Sequence, residues 1–196
     1  MILAGGLSSR LGGGDKCLIE LCGRPLLAHV ISRLAPQVDP VGLNANGDPA
    51  RFAGYGLPVW PDPVAGYPGP LAGFLAALDF ARDTGCTFAA TAAADTPFLP
   101  ENLVSRLATA SEAAGMVPAV AASQGRAHPV FALLPVSAHT ALRDALAGGA
   151  RKVMDWLQAQ GAVTVDFAVG DHDPFFNINT PDDLEIARSL LKARTP

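Results

Sequence analysis

Residues 86–94 read CTFAATAAA, an apolar run without polar alternation, and Asp95 ends it abruptly. A strand with one wet face alternates polar and apolar side chains. A run that does not alternate fits a central strand buried on both faces, as in a parallel sheet covered by two helical layers. Such a strand needs a large core around it. The chain can build one, since 49% of its 196 residues are hydrophobic and only 16% are charged, against about 25% charged in an ordinary soluble domain.

The remaining segments alternate in type around that strand. Ile2 to Ala4 read as the end of a buried strand, VGLNAN (41–46) and LPVW (57–60) as short strands, and MVPAVAAS, HPVFALL and VTVDFAV as later ones. PLLAHVISRL from Pro25 places Leu27, Val30, Ile31 and Leu34 on one helical face, with Pro25 in the first turn. A helix from Pro70 turns Leu71, Phe74, Leu75 and Leu78 inward, and another is expected over 101–114. PVSAHTALRDALAGG and RKVMDWLQAQ read as helices. The last helix starts clearly, with Thr180 as N-cap, Pro181 next and Asp183 as the capping-box acid. This alternation predicts an α/β three-layer sandwich, with a mostly parallel central sheet and helices on both faces. No repeat or linker divides the chain, so 1–196 is read as one domain.

Charge and cysteine usage narrow the function. A net charge of −4 disfavours a nucleic-acid binder. Three cysteines, Cys17, Cys22 and Cys86, with no CxxC, suggest neither a disulfide framework nor a zinc ribbon. The N-terminal MILAGG lacks the pattern of a signal peptide, and no stretch is long enough to span a membrane. A cytoplasmic protein that engages neither membrane nor nucleic acid is expected.

LAGGLSSRLGGGDK (3–16) puts five glycines, Arg10 and Lys16 in one loop. It is not a Walker A loop, because Asp15 precedes Lys16 and Cys17 follows it, and no GxGxxG occurs in register. The ingredients of phosphate binding are nevertheless present. Glycines let backbone N–H groups approach an anion. Arg10 can fork onto phosphate oxygens, and Lys16 adds a point charge.

That loop resembles the signature loop of nucleotidyltransferases that activate sugars and cofactors. LNAN (43–46), YPGPLAG (67–73), ADTPFLP (94–100) and FNINTPDDL (176–184) are similar to one branch, the MobA-like molybdenum cofactor guanylyltransferases. HPVFAL (128–133) and RKVM (151–154) also sit where that branch has similar residues, and the motifs come in the family's order over almost the whole chain. The loop reads RLGGGDK where relatives more often have RMG and fewer glycines. Ala94 stands where they often carry cysteine.

The resemblance implies transfer of GMP from GTP to molybdopterin or its molybdenum-loaded form, with release of pyrophosphate and with Mg2+ as cofactor. It implies a nucleotide-binding half over 1–100 and an acceptor-binding half over 101–196. Lys16, Asp95 and Arg10 are the implied catalytic residues, and Asp95 is the implied metal ligand. A lone carboxylate at a strand's carboxyl end suits magnesium, which keeps waters and phosphate oxygens among its ligands. Leu3, Ala4, Gly5 and Gly6 correspond to the backbone that holds base and ribose, with Asn44 and Asp62 near the nucleotide. Gly13, Gly69, Gly73, Arg151, Asn177 and Asn179 correspond to the acceptor side. Arg10 serves either the triphosphate or the acceptor phosphate. For Gly69 and Gly73, tight helix–sheet packing is an equal reading, and Asn44 and Asp62 also suit turns. His128 reads as a packed or hydrogen-bonded histidine rather than a catalyst. Transient contacts with molybdoenzymes or cofactor-maturation proteins are implied as well. A cytidylyltransferase, a sugar nucleotidyltransferase and a silent nucleotide-binding module compete. Gly6 disfavours the first, which more often reads LAAG. YPGPLAG and NINTP disfavour the second. Arg10, Lys16 and Asp95 together disfavour the third.

Overall fold

A computed structural model describes residues 1–5, 14–64 and 69–193. Its strands are β1 (Ile2–Leu3), β2 (Glu20–Leu21), β3 (Arg24–Pro25), β4 (Leu43–Asn44), β5 (Val59–Trp60), β6 (Phe88–Ala93), β7 (Ala119–Ser123), β8 (Arg126–Pro135) and β9 (Val163–Asp166). The α-helices are α1 (Leu26–Leu34), α2 (Pro70–Asp83), α3 (Leu103–Ala113), α4 (His139–Ala147), α5 (Val153–Ala159) and α6 (Pro181–Lys192). Among the described residues, seven strands form one sheet in the order β5-β4-β1-β6-β8-β7-β9. Only β8 runs against the rest: it pairs antiparallel with both β6 and β7. The other pairs are parallel. The expected mostly parallel sandwich is therefore the fold.

The unalternating run explains itself once the layers are assigned. Ala90 and Ala92 of β6 enter one core, with Leu27, Val30 and Leu34 of α1 and Leu103 and Leu107 of α3. Ala89 enters the other, with Leu71, Phe74, Leu75 and Leu78 of α2, Leu142 and Leu146 of α4, and Trp156 and Leu157 of α5. Neighbouring β8 splits the same way, Phe131 and Leu133 to the first core, Ala132 and Leu134 to the second. Period-two geometry thus feeds two apolar layers from one strand. A smaller third core joins Leu21 and Leu26 to Phe98, Ile178 and Ala187 of α6.

Two details differ from the sequence reading. Pro25 is not in the first helical turn. It is the N-cap, with ψ 147°, because it pairs with Glu20 in the β2–β3 hairpin. The β7–β8 hairpin turns through Gln124 and Gly125, both at positive φ (49° and 74°). A two-residue turn of that hand matches strand twist, and it reverses the chain where a helical crossover would have kept it parallel.

α2 begins at Pro70, as expected, and Leu71, Phe74, Leu75 and Leu78 are all at most 3% exposed. α6 begins with the expected capping box: Thr180 accepts from the Asp183 N–H, and Asp183 accepts from the Thr180 N–H. No helix of the described residues is long and apolar enough to cross a membrane.

Candidate active site

The site lies where the sheet changes direction of growth. From β1 the chain adds β4 and β5 on one side, then returns to place β6 on the other. The carboxyl ends on either side of such a reversal leave a crevice in which open α/β sheets bind ligands. Here Leu3 is level with both Asn44 and Ala93. Ala4 N–H donates to Asn44 O at 2.9 Å, and Ala94 N–H donates to Leu3 O at 3.1 Å. The Leu3–Gly5 backbone, Asn44 and Asp95 are therefore adjacent.

Lys16 opens a short 3-10 turn, Lys16–Leu18, and is only 8% exposed. Its ammonium pairs with Asp95 Oδ2 and donates to Asn179 Oδ1 at 2.6 Å. Three sequence candidates from three distant segments thus converge on one nitrogen. The backbone reinforces this: Ile178 N–H donates to Asp95 O at 3.1 Å, so the NINTP loop is stitched to the end of β6. Asp183 holds the other side of that loop by accepting from the Asn179 and Thr180 N–H groups, each at 2.8 Å. Burial pushes the Asp183 carboxyl up, but those N–H donors, the Thr180 hydroxyl and the Lys16 charge together hold it below its usual value.

Asp95 could take a divalent cation. Among the described residues its Oδ1 has only a 3.4 Å contact with the Thr96 hydroxyl, so it keeps lone pairs for a ligand. Among the described residues no group of three or more His, Cys, Asp or Glu gathers to cage a metal. A hard ion that completes its shell with water and phosphate oxygens fits such a donor set.

Asn44 and Asp62 form a second cluster. Asn44 Nδ2 donates to Asp62 Oδ1 at 3.0 Å and to Trp60 O at 3.1 Å. Asn46 Nδ2 donates to Asp62 Oδ2 at 2.8 Å, and its Oδ1 accepts from Asp62 N–H at 2.8 Å. This buckle fixes the ends of β4 and β5. Gly73 lies directly beneath it. A Cβ there would come within 2.8 Å of Asn44 Oδ1 and 3.1 Å of a Leu3 methyl. The structure thus places Gly73, expected on the acceptor side, in buried packing under Leu3 and Asn44, because α2 must approach the sheet closely there. Gly69 is the exposed N-cap of α2. Arg151 lies in the α4–α5 connection and donates to Ala150 O at 2.9 Å. Gly6, Arg10 and Gly13 lie outside the described residues.

Beside Asn177 and Asn179 opens a cleft of about 400 Å³, with His128, Asp173, Phe176 and Arg126 on its walls. The sequence reading did not find it. The Ser123 hydroxyl lies 3.0 Å from both Asp173 carboxylate oxygens and 2.7 Å from His128 Nε2. The imidazole stacks on Phe175 with centroids 4.5 Å apart. Burial lowers the His128 pKa, the Asp173 charge opposes this, and Arg126 adds to it.

A family model described as MobA-like NTP transferase domain matches residues 1–163. The chain belongs to this family. Similarity runs nearly end to end. The chain is 53% identical over 193 residues to a molybdenum cofactor guanylyltransferase of Rhodopseudomonas palustris (strain BisB5), covering 97% of this chain and 92% of that one. It is 51% identical over 193 residues to the protein of that name from Bradyrhizobium sp. (strain ORS 278), covering 97% and 91%. Among solved structures, molybdopterin-guanine dinucleotide biosynthesis protein A from Archaeoglobus fulgidus matches with a TM-score of 0.75 at 26% identity, over 98% of this chain and 97% of that one.

Within this MobA-like site, sequence reasoning also missed Arg51. Its Nη2 donates to Asn46 O at 2.5 Å and its Nη1 to Asp48 O at 2.6 Å. Its Nε lies 2.6 Å from Asp15 Oδ2, an ion pair. Arg51 therefore ties the end of the glycine loop to the turn after β4, and no local signal marked it. Cys17, next to Lys16, is 2% exposed, and burial pushes its thiol up to about 12, so it is no nucleophile here.

The Gly73 packing makes a prediction with an unusual sign. Gly→Ala inside a helix ordinarily stabilises by about 1 kcal/mol. Gly73→Ala is expected to destabilise by about 1–3 kcal/mol instead, because the new methyl overpacks Asn44 and Leu3. Urea denaturation would read this as a lowered midpoint at unchanged slope. A raised midpoint would show that the contact relaxes freely.

Proposed function

We propose that this chain is a molybdenum cofactor guanylyltransferase, which transfers GMP from GTP to the terminal phosphate of molybdopterin or its molybdenum-loaded form. The observation that carries the reading is the convergence of Lys16, Asp95 and Asn179 at the carboxyl end of the sheet. This convergence is joined to a glycine-rich loop in a family whose near relatives bear that name.

A phosphate oxygen of the acceptor attacks the α-phosphorus of GTP. The bond to the β-bridging oxygen breaks, and pyrophosphate leaves with that electron pair. The attacking phosphate is already anionic near neutral pH, so no general base is needed. The protein's task is to bring two polyanions together in line and offset their charge. The Leu3–Gly5 backbone is assigned to base and ribose. The Asn44–Asp62–Asn46 buckle gives that end of the crevice its shape. Lys16 is assigned to the phosphates, with Asn179 orienting its ammonium between the nucleotide and acceptor sides. Arg10 is assigned to the phosphates of either substrate. Gly69, Gly13, Asn177 and Arg151 are assigned to the acceptor. Asp95 would hold magnesium, which when bound supplies positive charge to the triphosphate and the developing pyrophosphate. The first hundred residues would then mainly bind nucleotide and the rest mainly acceptor. The product must pass to molybdoenzymes, so transient protein contacts belong to the same reading.

The test supplies each radiolabelled NTP with molybdopterin and magnesium and follows pyrophosphate release. Turnover with GTP is expected, with loss of activity on EDTA and recovery on added magnesium. Preference for CTP would overturn the guanylyl assignment. No turnover with any NTP would favour a silent nucleotide-binding module.

A further inference from the structure

We infer that His128 reads the acceptor: its Nδ1, presented as a lone-pair hydrogen-bond acceptor, accepts a bond from an N–H of the substrate's planar heterocycle seated in the cleft beside Asn177 and Asn179. This rests on the function proposed above and adds a specificity-determining residue to it.

The hydrogen-bond chain behind the ring determines which nitrogen is free. The Asp173 carboxylate can only accept, so the Ser123 hydroxyl spends its single proton there, 3.0 Å from each oxygen. Ser123 Oγ must then accept from His128, and the 2.7 Å contact puts the imidazole proton on Nε2. Nδ1 is left with a lone pair and no hydrogen-bond partner among the described residues. The carboxylate is itself fixed by the Phe175 N–H, which donates to Asp173 Oδ1 at 2.9 Å, and Phe175 stacks on the imidazole. A carboxylate, a hydroxyl and an aromatic ring thus hold one tautomer in one orientation. His128 also lines the 400 Å³ cleft, so the ring held by this chain of bonds borders the space a ligand would occupy.

The cleft's contents suit a flat heterocycle with a charged tail. His128 and Phe176 line it with aromatic rings, Asn177 with an amide, and Arg126 with a cation. Asn179 belongs both to the cleft and to the Lys16 site, 2.6 Å from the ammonium. A ligand with its ring against His128 therefore points its far end at the phosphate-handling lysine. A phosphate nucleophile needs no base, so His128 has no proton to remove, and recognition is the role left to it.

The closing experiment separates this inference from the parent reading. Molybdopterin binding, without GTP or turnover, is measured on wild type, His128→Gln and His128→Asn, with GTP binding in parallel. Gln can keep the bond to Ser123 but places nothing at Nδ1, whereas Asn places an amide oxygen there. Leaving a heterocycle N–H unpaired predicts about a 5- to 100-fold weaker molybdopterin Kd for His128→Gln. GTP affinity should stay unchanged, and His128→Asn should recover part of the loss. Wild-type affinity should also fall at acid pH, below the ordinary imidazole range, since protonation covers Nδ1. Asp173 and Arg126 are the charged groups acting on the ring, and burial moves that fall to lower pH. Nitrogen NMR of the labelled protein at pH 7.5 should show Nδ1 as the unprotonated ring nitrogen. Asp173→Asn should blur that assignment, because Ser123 could then donate to the ring. If wild type binds molybdopterin and His128→Gln binds it equally well, the inference falls and the guanylyltransferase reading stands. The inference also falls if Nδ1 carries the proton. If wild type binds GTP but no molybdopterin, both fall.

Discussion

Asp95→Asn is expected to lower kcat by about a thousandfold or more, roughly 4 kcal/mol of transition-state stabilisation, with the fold intact. The substitution is nearly isosteric and removes only the charge. The backbone bond from Ile178 to Asp95 O is untouched, and Lys16 keeps Asn179 and a neutral carbonyl as partners. What goes is the proposed anionic ligand for magnesium at the strand end. Pyrophosphate release at saturating GTP and molybdopterin would measure the loss, and a melting temperature within a few degrees of wild type would show that folding is preserved. Full activity in this variant would remove Asp95 from the mechanism.

Lys16→Met is expected to fail on both counts, activity and stability. Transfer should fall by about a hundredfold or more, because two polyanions lose the cation assigned to bring them together. Stability should fall too, by about 1–3 kcal/mol, because the change strands a carboxylate. The Asp95 side chain is only 18% exposed and loses its counter-ion, while Asn179 Oδ1 loses its donor. The double variant Lys16→Met with Asp95→Asn should therefore be more stable than Lys16→Met alone, since no orphaned charge remains. Chemical denaturation of the four proteins tests this cycle. Simple additivity would mean that Lys16 and Asp95 do not depend on each other in the folded protein.

Much of the fold was legible because it follows from patterns along the chain. An unalternating run needs apolar layers on both faces, and Ala90 and Ala92 enter one core while Ala89 enters the other. Asp95 was legible for the same reason, as the first charge after a buried strand must sit at the sheet's rim. The direction of β8 was not, because period-two burial is the same for parallel and antiparallel strands. Only the Gln124–Gly125 turn carries that information. Gly73 was open to two readings, since a missing side chain says nothing of what lies opposite until Asn44 and Leu3 are in place.

Contacts between distant segments decided the rest. Lys16 and Asn179 are 163 positions apart and Ser123 and Asp173 are 50 apart, so no local pattern links either pair. His128 alone reads as a packed side chain. Beside Ser123, Asp173 and a cleft it is a candidate for binding instead.

By itself, then, the sequence determined the layers, the helix starts and the residue types that handle phosphate, because periodicity, capping and charge are local properties. Tertiary structure alone decided which of those residues share a partner, which glycine is a packing contact and which histidine nitrogen meets Ser123. Those outcomes depend on distances between segments that meet only when the sheet has closed.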